Sequence, residues 1–187
     1  MFNYSIKISN SKNKIGFINF IYNEKNNKIY ISYLNVFNQY RNKGYGTLLI
    51  LVSLNQIINN IYNSYFIKEI KLDDCSERSG EKDSIYYKLG FRNYNPKNQE
   101  ELFVKFFNKN KYKNELKLKT IYDLYDYIYN SNYYKLNKLN FNSLSFKIVI
   151  YNNSNNELIK NKFKFKFNLN KKIIKNLKIT RGRKNNN

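Results

Sequence analysis

Apolar and polar residues alternate in three short runs along the first 37 residues. The first run covers residues 2–8, and polar turns at 9–14 and 23–27 separate it from runs at 15–22 and 28–37. A period of two is typical of a strand that buries one face. We therefore predict three consecutive strands, joined by tight turns into an antiparallel meander.

The pattern changes to a helical one after the third strand. From Thr47 onward, apolar residues cover a wide stripe, while Asn55, Gln56, Asn59 and Asn60 fall together on a polar side. This spacing predicts a long amphipathic helix that begins at Thr47.

The next fifty residues predict shorter elements. Residues 67–72 read as a strand and residues 81–89 as a helix, with Gly90 as its left-handed C-cap. A further strand is expected to begin at Phe91, and residues 101–107 to supply the last strand of this part of the chain.

The C-terminal eighty residues are less regular. Thr120 to Asp123 forms a capping box at the start of a predicted helix over residues 120–129. A strand is expected over residues 143–151. Residues 162–167 alternate Lys with Phe, which places the rings on one face and the ammonium groups on the other. Residues 180–187 are predicted to be disordered.

The turn between the third strand and the long helix is the most informative stretch. Gly44 and Gly46 lack a Cβ, so the backbone can bend sharply and its amides can approach a ligand closely. The first amides of a helix have no partner within it, and its dipole is positive at that end. This turn therefore predicts an anion site that fits a pyrophosphate.

Two motifs in this region carry a family resemblance. Residues 41–46, RNKGYG, match the pattern of Gln or Arg, two residues, Gly, one residue, and Gly or Ala, and residues 85–91 read IYYKLGF. With these motifs the chain resembles the acyl-CoA N-acyltransferases of the GNAT superfamily over residues 1–107. The resemblance implies an α+β fold, with a mixed twisted sheet and helices, to which residues 108–187 add a basic C-terminal extension.

The resemblance also implies the residues of a coenzyme A site. The third strand would pair its backbone with the pantetheine arm, and Val36 would offer a backbone donor near the thioester carbonyl of acetyl-CoA. Tyr86 would protonate the coenzyme A sulfur, with ordinary core packing as the alternative, and Ser79 falls where the family often has an asparagine that touches coenzyme A. The pyrophosphate would be held mainly by the backbone amides of Arg41, Asn42, Lys43, Gly44, Tyr45, Gly46 and Thr47.

The chain departs from the family at the acceptor side. Two helices usually follow the first strand, and the short turn here cannot hold them, so we expect a reduced core. The glutamate that some related enzymes carry on the central strand corresponds to Tyr30, which is not a base at neutral pH. Asp73 or Asp74 is the alternative proton acceptor, directly or through water. Both also fit a solvated loop with a helix-capping role.

Charge is distributed unevenly along the chain. The net charge is +21, and residues 108–187 hold 19 Lys and Arg against 4 Asp and Glu, whereas residues 1–107 hold 15 against 9. Such a field attracts polyanions. The Asn- and Lys-rich composition also matches AT-rich codons, which predicts an AT-rich genome, such as that of a large DNA virus or a protist, and is a second explanation of the lysine count.

Cysteine and histidine usage excludes several kinds of chemistry. Cys75 is the single cysteine, so no intrachain disulfide forms, and the absence of histidine excludes a histidine base and zinc sites of the His/Cys type. We predict no metal site. With no apolar run long enough for a signal or a membrane span, we expect an intracellular, cytoplasmic protein, or one carried in a virion.

Two functions follow from these features. The first is an acetyl-CoA-dependent N-acetyltransferase that acts on a primary amine; because the positive chain repels polyamines, an acceptor on a larger acidic partner, such as a protein, is favoured. The second is a non-catalytic binding module whose basic C-terminal region docks on nucleic acid or an acidic partner. Arg181-Gly182-Arg183 is similar to arms that bind the minor groove of AT-rich DNA.

Overall fold

The computed structural model describes residues 1–11, 13–61, 64–75, 84–94, 97–98, 100–106, 118–151 and, for the backbone, 157–163. These residues form an α+β fold around one mixed sheet of seven strands. The predicted fold class is confirmed.

The predicted N-terminal meander is also confirmed. Strands β1 (Phe2–Ser9), β2 (Lys14–Asn23) and β3 (Lys28–Val36) pair in antiparallel fashion, with tight turns between them. The turn from β1 to β2 contains the hydrogen bond from the Asn10 N–H to the Asn13 carbonyl, and no helix follows β1, as expected for the reduced core. Ile6, Ile18 and their inward neighbours are buried, which accounts for the period of two.

The sheet becomes mixed beyond β3. Strand β4 (Glu69–Asp73) runs parallel to β3, and β5 (Glu101–Lys105) runs antiparallel to β4. The pairing of β3 with β4 ends at Ile31 opposite Leu72, whereas β3 continues to Val36. The two neighbouring strands therefore separate at this end of the sheet.

The C-terminal segment adds two strands to the opposite edge. Strand β6 (Ser145–Tyr151) pairs with β1, and β7 (Glu157–Phe163) pairs with β6. This segment thus shares the sheet of the N-terminal strands, and the division of the chain at residue 107 stays a prediction. Of the Lys/Phe alternation over 162–167, only the backbone of the first two residues is described, and residues 180–187 lie outside the described part.

The long helix lies against the inward face of the meander. Helix α1 spans Tyr45–Asn60, so the predicted start at Thr47 was two residues late because the cap is Gly44. Every residue from Thr47 to Leu54 is buried, since the sheet covers one side of α1 and helix α3 contacts it as well. Burial of one Leu or Ile side chain stabilises a fold by about 1.5–3 kcal/mol, so this helix anchors the core.

The two remaining helices differ from their predictions in length. In the described residues α2 spans only Ile85–Lys88, with the Ser84 side chain as its N-cap, while α3 spans Ile121–Leu136 and extends two turns past the predicted end. The capping box of α3 is confirmed, because Thr120 and Asp123 bond each other's backbone N–H groups.

The short α2 is followed by a turn rather than a strand. Gly90 adopts the predicted left-handed conformation, with φ of 95°. The strand expected at Phe91 was wrong, because only a single bridge joins Arg92 to Phe103. The ring of Phe91 is fully buried, so its apolar character reflects core packing.

Candidate active site

The turn between β3 and α1 uses two left-handed residues. A short 3-10 helix at Asn38–Tyr40 follows β3, and then Asn42 adopts φ of 62° and Gly44 φ of 91°. A residue with a Cβ is strained at such a φ, and glycine is not. Gly44 is the N-cap of α1 and offers no side chain to bond the first amides of the helix.

The first amides of α1 are left open. The backbone N–H of Leu48 donates to the Gly44 carbonyl at 3.0 Å and is the first of the regular helical bonds. Among the described residues, the N–H groups of Gly46 and Thr47 have no recorded protein acceptor. No acidic side chain lies in the first turn. These donors sit at the positive end of a sixteen-residue helix, the arrangement that binds phosphate.

Three segments meet at Gly46. A Cβ placed on Gly46 would lie 3.2 Å from Cδ1 of Ile85 in α2 and 3.9 Å from Cγ2 of Val36 in β3. A side chain at this position would therefore press against both neighbours. Because α1 begins at Tyr45, Gly46 belongs to its first turn, whereas the sequence had predicted that it lies in the preceding loop and that the helix begins at Thr47.

The end of β3 presents its backbone to the space that β4 leaves open. The N–H of Phe37 donates to the carbonyl of Ile15 in β2. In an antiparallel pair the backbone groups of successive residues point to opposite sides. The N–H and carbonyl of Val36, which pairs with Gly16, therefore point away from β2. The same alternation turns the polar groups of Leu34 away from β2. The N–H of Val36 thus faces the gap between the strands, where the sequence had expected a donor.

The two basic residues of the turn are engaged with its own backbone. Nε of Arg41 donates to the Val36 carbonyl at 3.1 Å, and Nζ of Lys43 donates to the Gln39 carbonyl at 2.9 Å. Lys43 also lies over the Tyr40 ring, 5.9 Å from its centroid. Both cations therefore brace the turn and make it positive, while the amides of α1 remain the free donors.

A lysine that sequence reasoning missed also reaches this turn. Cβ of Lys135, in the last turn of α3, would lie 3.8 Å from a Cβ on Gly44. The C-terminal segment thus places a basic residue beside the start of α1. A lysine in the last turn of a helix is common, because it interacts with the helix dipole, so nothing in the sequence distinguished Lys135.

Tyr86 lies in α2, near the same gap. Its ring is half-buried and packs edge-to-face against Phe91, with centroids 6.2 Å apart. The pKa of Tyr86 is raised to about 12, mainly by burial and to a smaller extent by the nearby charges of Asp74 and Cys75. The phenol is therefore protonated at neutral pH and can donate its proton.

The two adjacent carboxylates face different environments. Asp74 is fully buried, and its N–H donates to the Glu100 carbonyl at 2.8 Å. Asp73 is exposed and accepts a hydrogen bond from the Tyr30 hydroxyl at 2.8 Å, while Lys71 Nζ lies 3.9 Å from its other oxygen. This hydrogen bond is the main cause that raises the pKa of Tyr30 to about 12.

The alternative interpretation of these two residues was a solvated loop with a helix-capping role, and it is corrected for Asp74. Asp74 does not lie in a solvated loop, because its side chain is buried beside Tyr86. The N-cap of α2, as described over Ile85–Lys88, is Ser84, whose hydroxyl accepts from the Tyr87 N–H. Ser79, the remaining predicted site residue, lies outside the described residues.

Metal and membrane chemistry find no site in the described ranges. There, no group of three or more Cys, Asp or Glu side chains converges on a point where a metal ion would bind. Nor is any helix in these ranges long and apolar enough to cross a membrane.

Comparisons with known proteins add a likeness in fold. No protein-family model and no curated protein matches the chain. Among solved structures, it is similar to Tetrahymena GCN5, at 18% identity over 59% of this chain and 72% of that chain, with a TM-score of 0.42. It is also similar to the PaiA N-acetyltransferase from Thermoplasma acidophilum in complex with coenzyme A, at 24% identity over 55% and 62% of the two chains, with a TM-score of 0.42.

A third similar structure is a mutant of the AtaT toxin bound to the C-terminus of the antitoxin AtaR. The identity is 14% over 49% of this chain and 59% of that chain, and the TM-score is 0.39. The chain spans less than two thirds of the length of the AtaT and PaiA structures. At these identities the likeness concerns the fold alone.

Proposed function

We infer that the chain is an N-acetyltransferase that moves an acetyl group from acetyl-CoA to a primary amine. The observation that carries this proposal is the separation of β3 from β4, next to the open start of α1. Strand β3 continues five residues past its last pair with β4, from Ser32 to Val36. An extended ligand fits such an edge, because it can pair with the free backbone groups while its anionic end meets the helix amides.

The residues around this gap fit the parts of acetyl-CoA. The N–H groups of Gly46 and Thr47, with Lys135 nearby, would hold the pyrophosphate. The backbone groups of Leu34 and the N–H of Val36 would align the pantetheine arm, which would place the thioester between Val36 and Tyr86. When bound, acetyl-CoA supplies the activated acyl group. Proximity of the amine to this group provides most of the rate enhancement.

The chain then stabilises charge and moves two protons. The amine forms a new bond to the acetyl carbon while the carbon–sulfur bond breaks, and the Val36 N–H stabilises the negative charge on the carbonyl oxygen. The protonated phenol of Tyr86 donates its proton to the departing sulfur. Asp73 accepts the proton that the attacking nitrogen loses, because its carboxylate is exposed and can pass the proton to water.

The acceptor and the setting are proposed from charge and composition. A chain of net charge +21 attracts an amine that lies on a larger acidic partner, such as a protein, more strongly than a free polyamine. The composition is also the ground for proposing an AT-rich genome as the source, including that of a large DNA virus, and a cytoplasmic or virion location.

Calorimetric titration with acetyl-CoA tests the proposal directly. The wild type should bind, and Gly46→Glu should abolish binding, because the added carboxylate would repel the pyrophosphate. Gly46→Ala separates crowding against Ile85 from charge, and Asn26→Glu, in the exposed turn before β3, controls for the added charge. Absence of wild-type binding at millimolar acetyl-CoA, or normal binding by Gly46→Glu, would contradict the proposed site.

A further inference from the structure

A side-chain hydrogen bond joins β3 to β4 where the two strands separate. Their last backbone pair is Ile31 with Leu72, so Asp73 is the first residue of β4 beyond that pair. The Tyr30 hydroxyl donates to Oδ2 of Asp73 at 2.8 Å. This bond therefore crosses from one strand to the other at the vertex of the gap between them.

Both side chains lie on the outward face of the sheet. Ile29 and Ile31, on either side of Tyr30, are buried, and Leu72, which precedes Asp73, is buried as well. Because successive side chains of a strand point to opposite faces, Tyr30 and Asp73 point away from the core. The side chain of Asp73 is 35% exposed, so its carboxylate can be reached from solvent.

The cation next to Asp73 is held mainly by another carboxylate. Nζ of Lys71 donates to Oε1 of Glu101 in β5, and it lies 3.9 Å from Oδ1 of Asp73, which is long for an ion pair. The hydrogen bond to Glu101 is also the main cause that raises the pKa of Lys71. Of these two neighbours, Tyr30 rather than Lys71 thus makes the short contact with Asp73.

The bond from Tyr30 limits how the Asp73 side chain can rotate. An exposed aspartate otherwise populates several staggered rotamers, which moves its oxygens relative to a reacting atom. Tyr30 lies in a part of β3 that pairs with strands on both sides, so its hydroxyl is anchored. With Oδ2 bonded to Tyr30, Oδ1 is the oxygen that faces an incoming proton. A misplacement of about 1 Å at a reacting group can lower a rate by about 10²-fold, so such a restraint affects turnover.

We propose that Tyr30 is a positioning residue, whose hydroxyl holds the Asp73 carboxylate in the orientation that accepts the proton from the acceptor amine. This inference rests on the proposed acetyltransferase function. The amine nitrogen loses its proton to Oδ1 of Asp73 as it bonds the acetyl carbon, and the carboxyl group then releases that proton to water. Tyr30 keeps its own proton, since its hydroxyl is the donor in the bond to Asp73.

The kinetic test compares Tyr30→Phe, Asp73→Asn and the double variant, with acetyl-CoA and an N-terminally blocked acidic peptide that contains one lysine. Asp73→Asn should lower kcat by about 10²-fold, because the proton acceptor is lost. Tyr30→Phe should lower kcat by about tenfold and leave KM for acetyl-CoA unchanged, because only the restraint on Asp73 is lost. The double variant should lose no more than Asp73→Asn alone, since two residues that act as one unit are not additive.

The hydrogen bond can also be measured without turnover. It is the main cause that raises the pKa of Tyr30 to about 12, followed by burial and by the charges of Asp73 and Cys75. In ¹³C-tyrosine-labelled protein, the Tyr30 resonance is the one that Tyr30→Phe removes. It should remain that of a phenol up to pH ~11 in the wild type and titrate at lower pH in Asp73→Asn, where the pKa moves toward about 10. Lys71 and Glu101 are present in both proteins, so they do not account for the difference.

Tyr22 provides a matched control. Its hydroxyl also donates to a side-chain oxygen, Oδ1 of Asn27, at 3.0 Å, but it does so beside the turn between β2 and β3. Tyr22→Phe should therefore leave kcat unchanged, although it loses a hydrogen bond of the same kind. Unfolding midpoints of all variants report whether the fold is intact.

Three results would overturn the assignment of Tyr30 and leave the acetyltransferase function standing. One is a kcat of Tyr30→Phe equal to that of the wild type. Another is a loss from Tyr30→Phe that persists in the Asp73→Asn background or occurs equally in Tyr22→Phe. The third is a Tyr30 resonance that titrates alike in the wild type and in Asp73→Asn. A wild type that fails to acetylate the peptide would instead contradict the proposed function, and the role of Tyr30 with it.

Discussion

Strand β3 has two edges, and they differ in how far they are paired. Toward β2 it is paired along its whole length, from Lys28 to Val36, with one bulge. Toward β4 it is paired only from Lys28 to Ile31. An unpaired edge in a sheet is normally a liability, because it invites pairing with another chain. Here it borders the open start of α1, which suggests that the unpaired groups are retained for a ligand.

The two edges therefore contribute different things. The edge toward β2 contributes stability, since backbone pairing with β2 runs along the strand with one bulge and satisfies polar groups there. We propose that the edge toward β4 serves a ligand, since the backbone groups of Leu34 and the N–H of Val36 face the gap there. A substitution that removes a backbone group at the edge toward β2 should therefore lower the free energy of unfolding, whereas one at the edge toward β4 should lower kcat.

The largest expected effect concerns the tyrosine beside the open edge. Tyr86→Phe should lower kcat by about 10²-fold or more, because the departing sulfur loses its proton donor, and leave the Kd for acetyl-CoA nearly unchanged. Steady-state kinetics with a model amine and calorimetry measure the two quantities. A kcat equal to that of the wild type would leave Tyr86 as a packing residue.

Proline substitutions compare the two edges directly. Val36→Pro removes the N–H that faces the gap and should lower kcat by about 10²-fold with little loss of stability. Asn35→Pro removes the neighbouring N–H, which faces β2, and should lower the free energy of unfolding by at least the ~1 kcal/mol of a hydrogen bond. Kinetics and urea unfolding of both variants are needed. Equal stability losses would show that the edges do not differ as described.

Alkaline unfolding compares two tyrosines whose pKa is raised in the folded state, Tyr4 in β1 and Tyr86 in α2. Tyr4 stacks on Phe20 of β2, and burial raises its pKa to about 12, as it does for Tyr86. Each tyrosine holds its proton more tightly in the folded state than in the unfolded state, where the pKa is about 10. The stability they contribute is thus complete below pH ~10 and is lost as the pH rises to about 12.

Urea unfolding between pH 9 and 12 measures this loss. The decrease should be smaller in Tyr4→Phe and in Tyr86→Phe than in the wild type, whereas Tyr134→Phe, on the exposed side of α3, controls for removal of a hydroxyl group. A decrease that is the same in all four proteins would mean that neither buried tyrosine titrates differently on folding.

The smallest expected effect concerns the lysine that the C-terminal helix places beside the open start of α1. Lys135→Ala should weaken acetyl-CoA binding by a few-fold, and the difference should shrink at high salt, because an exposed cation near a phosphate is screened. Lys25→Ala is the matched control. Calorimetry at two salt concentrations measures the Kd for acetyl-CoA of both variants. A Kd of Lys135→Ala equal to that of the wild type would show that Lys135 does not contribute to the site.

Local patterns in the sequence determined much of the fold. The period of two specified β1, β2 and β3, and the capping box specified the start of α3, because both depend on residues that are close along the chain. The left-handed φ of Gly90, after α2, was predicted correctly for the same reason, since such a φ is a local demand of the backbone. The motifs at residues 41–46 and 85–91 also mark two segments that meet in the structure, at Gly46 and Ile85.

Only the tertiary structure decided how these parts meet. It showed where β4 separates from β3, that β6 joins β1, that Asp74 is buried while Asp73 is exposed, and that Lys135 lies beside Gly44. None of these follows from periodicity, because each depends on contacts between residues far apart in the chain. The physical reason is that a local pattern determines which side of an element is buried, whereas the partner that buries it is selected by packing of the whole molecule.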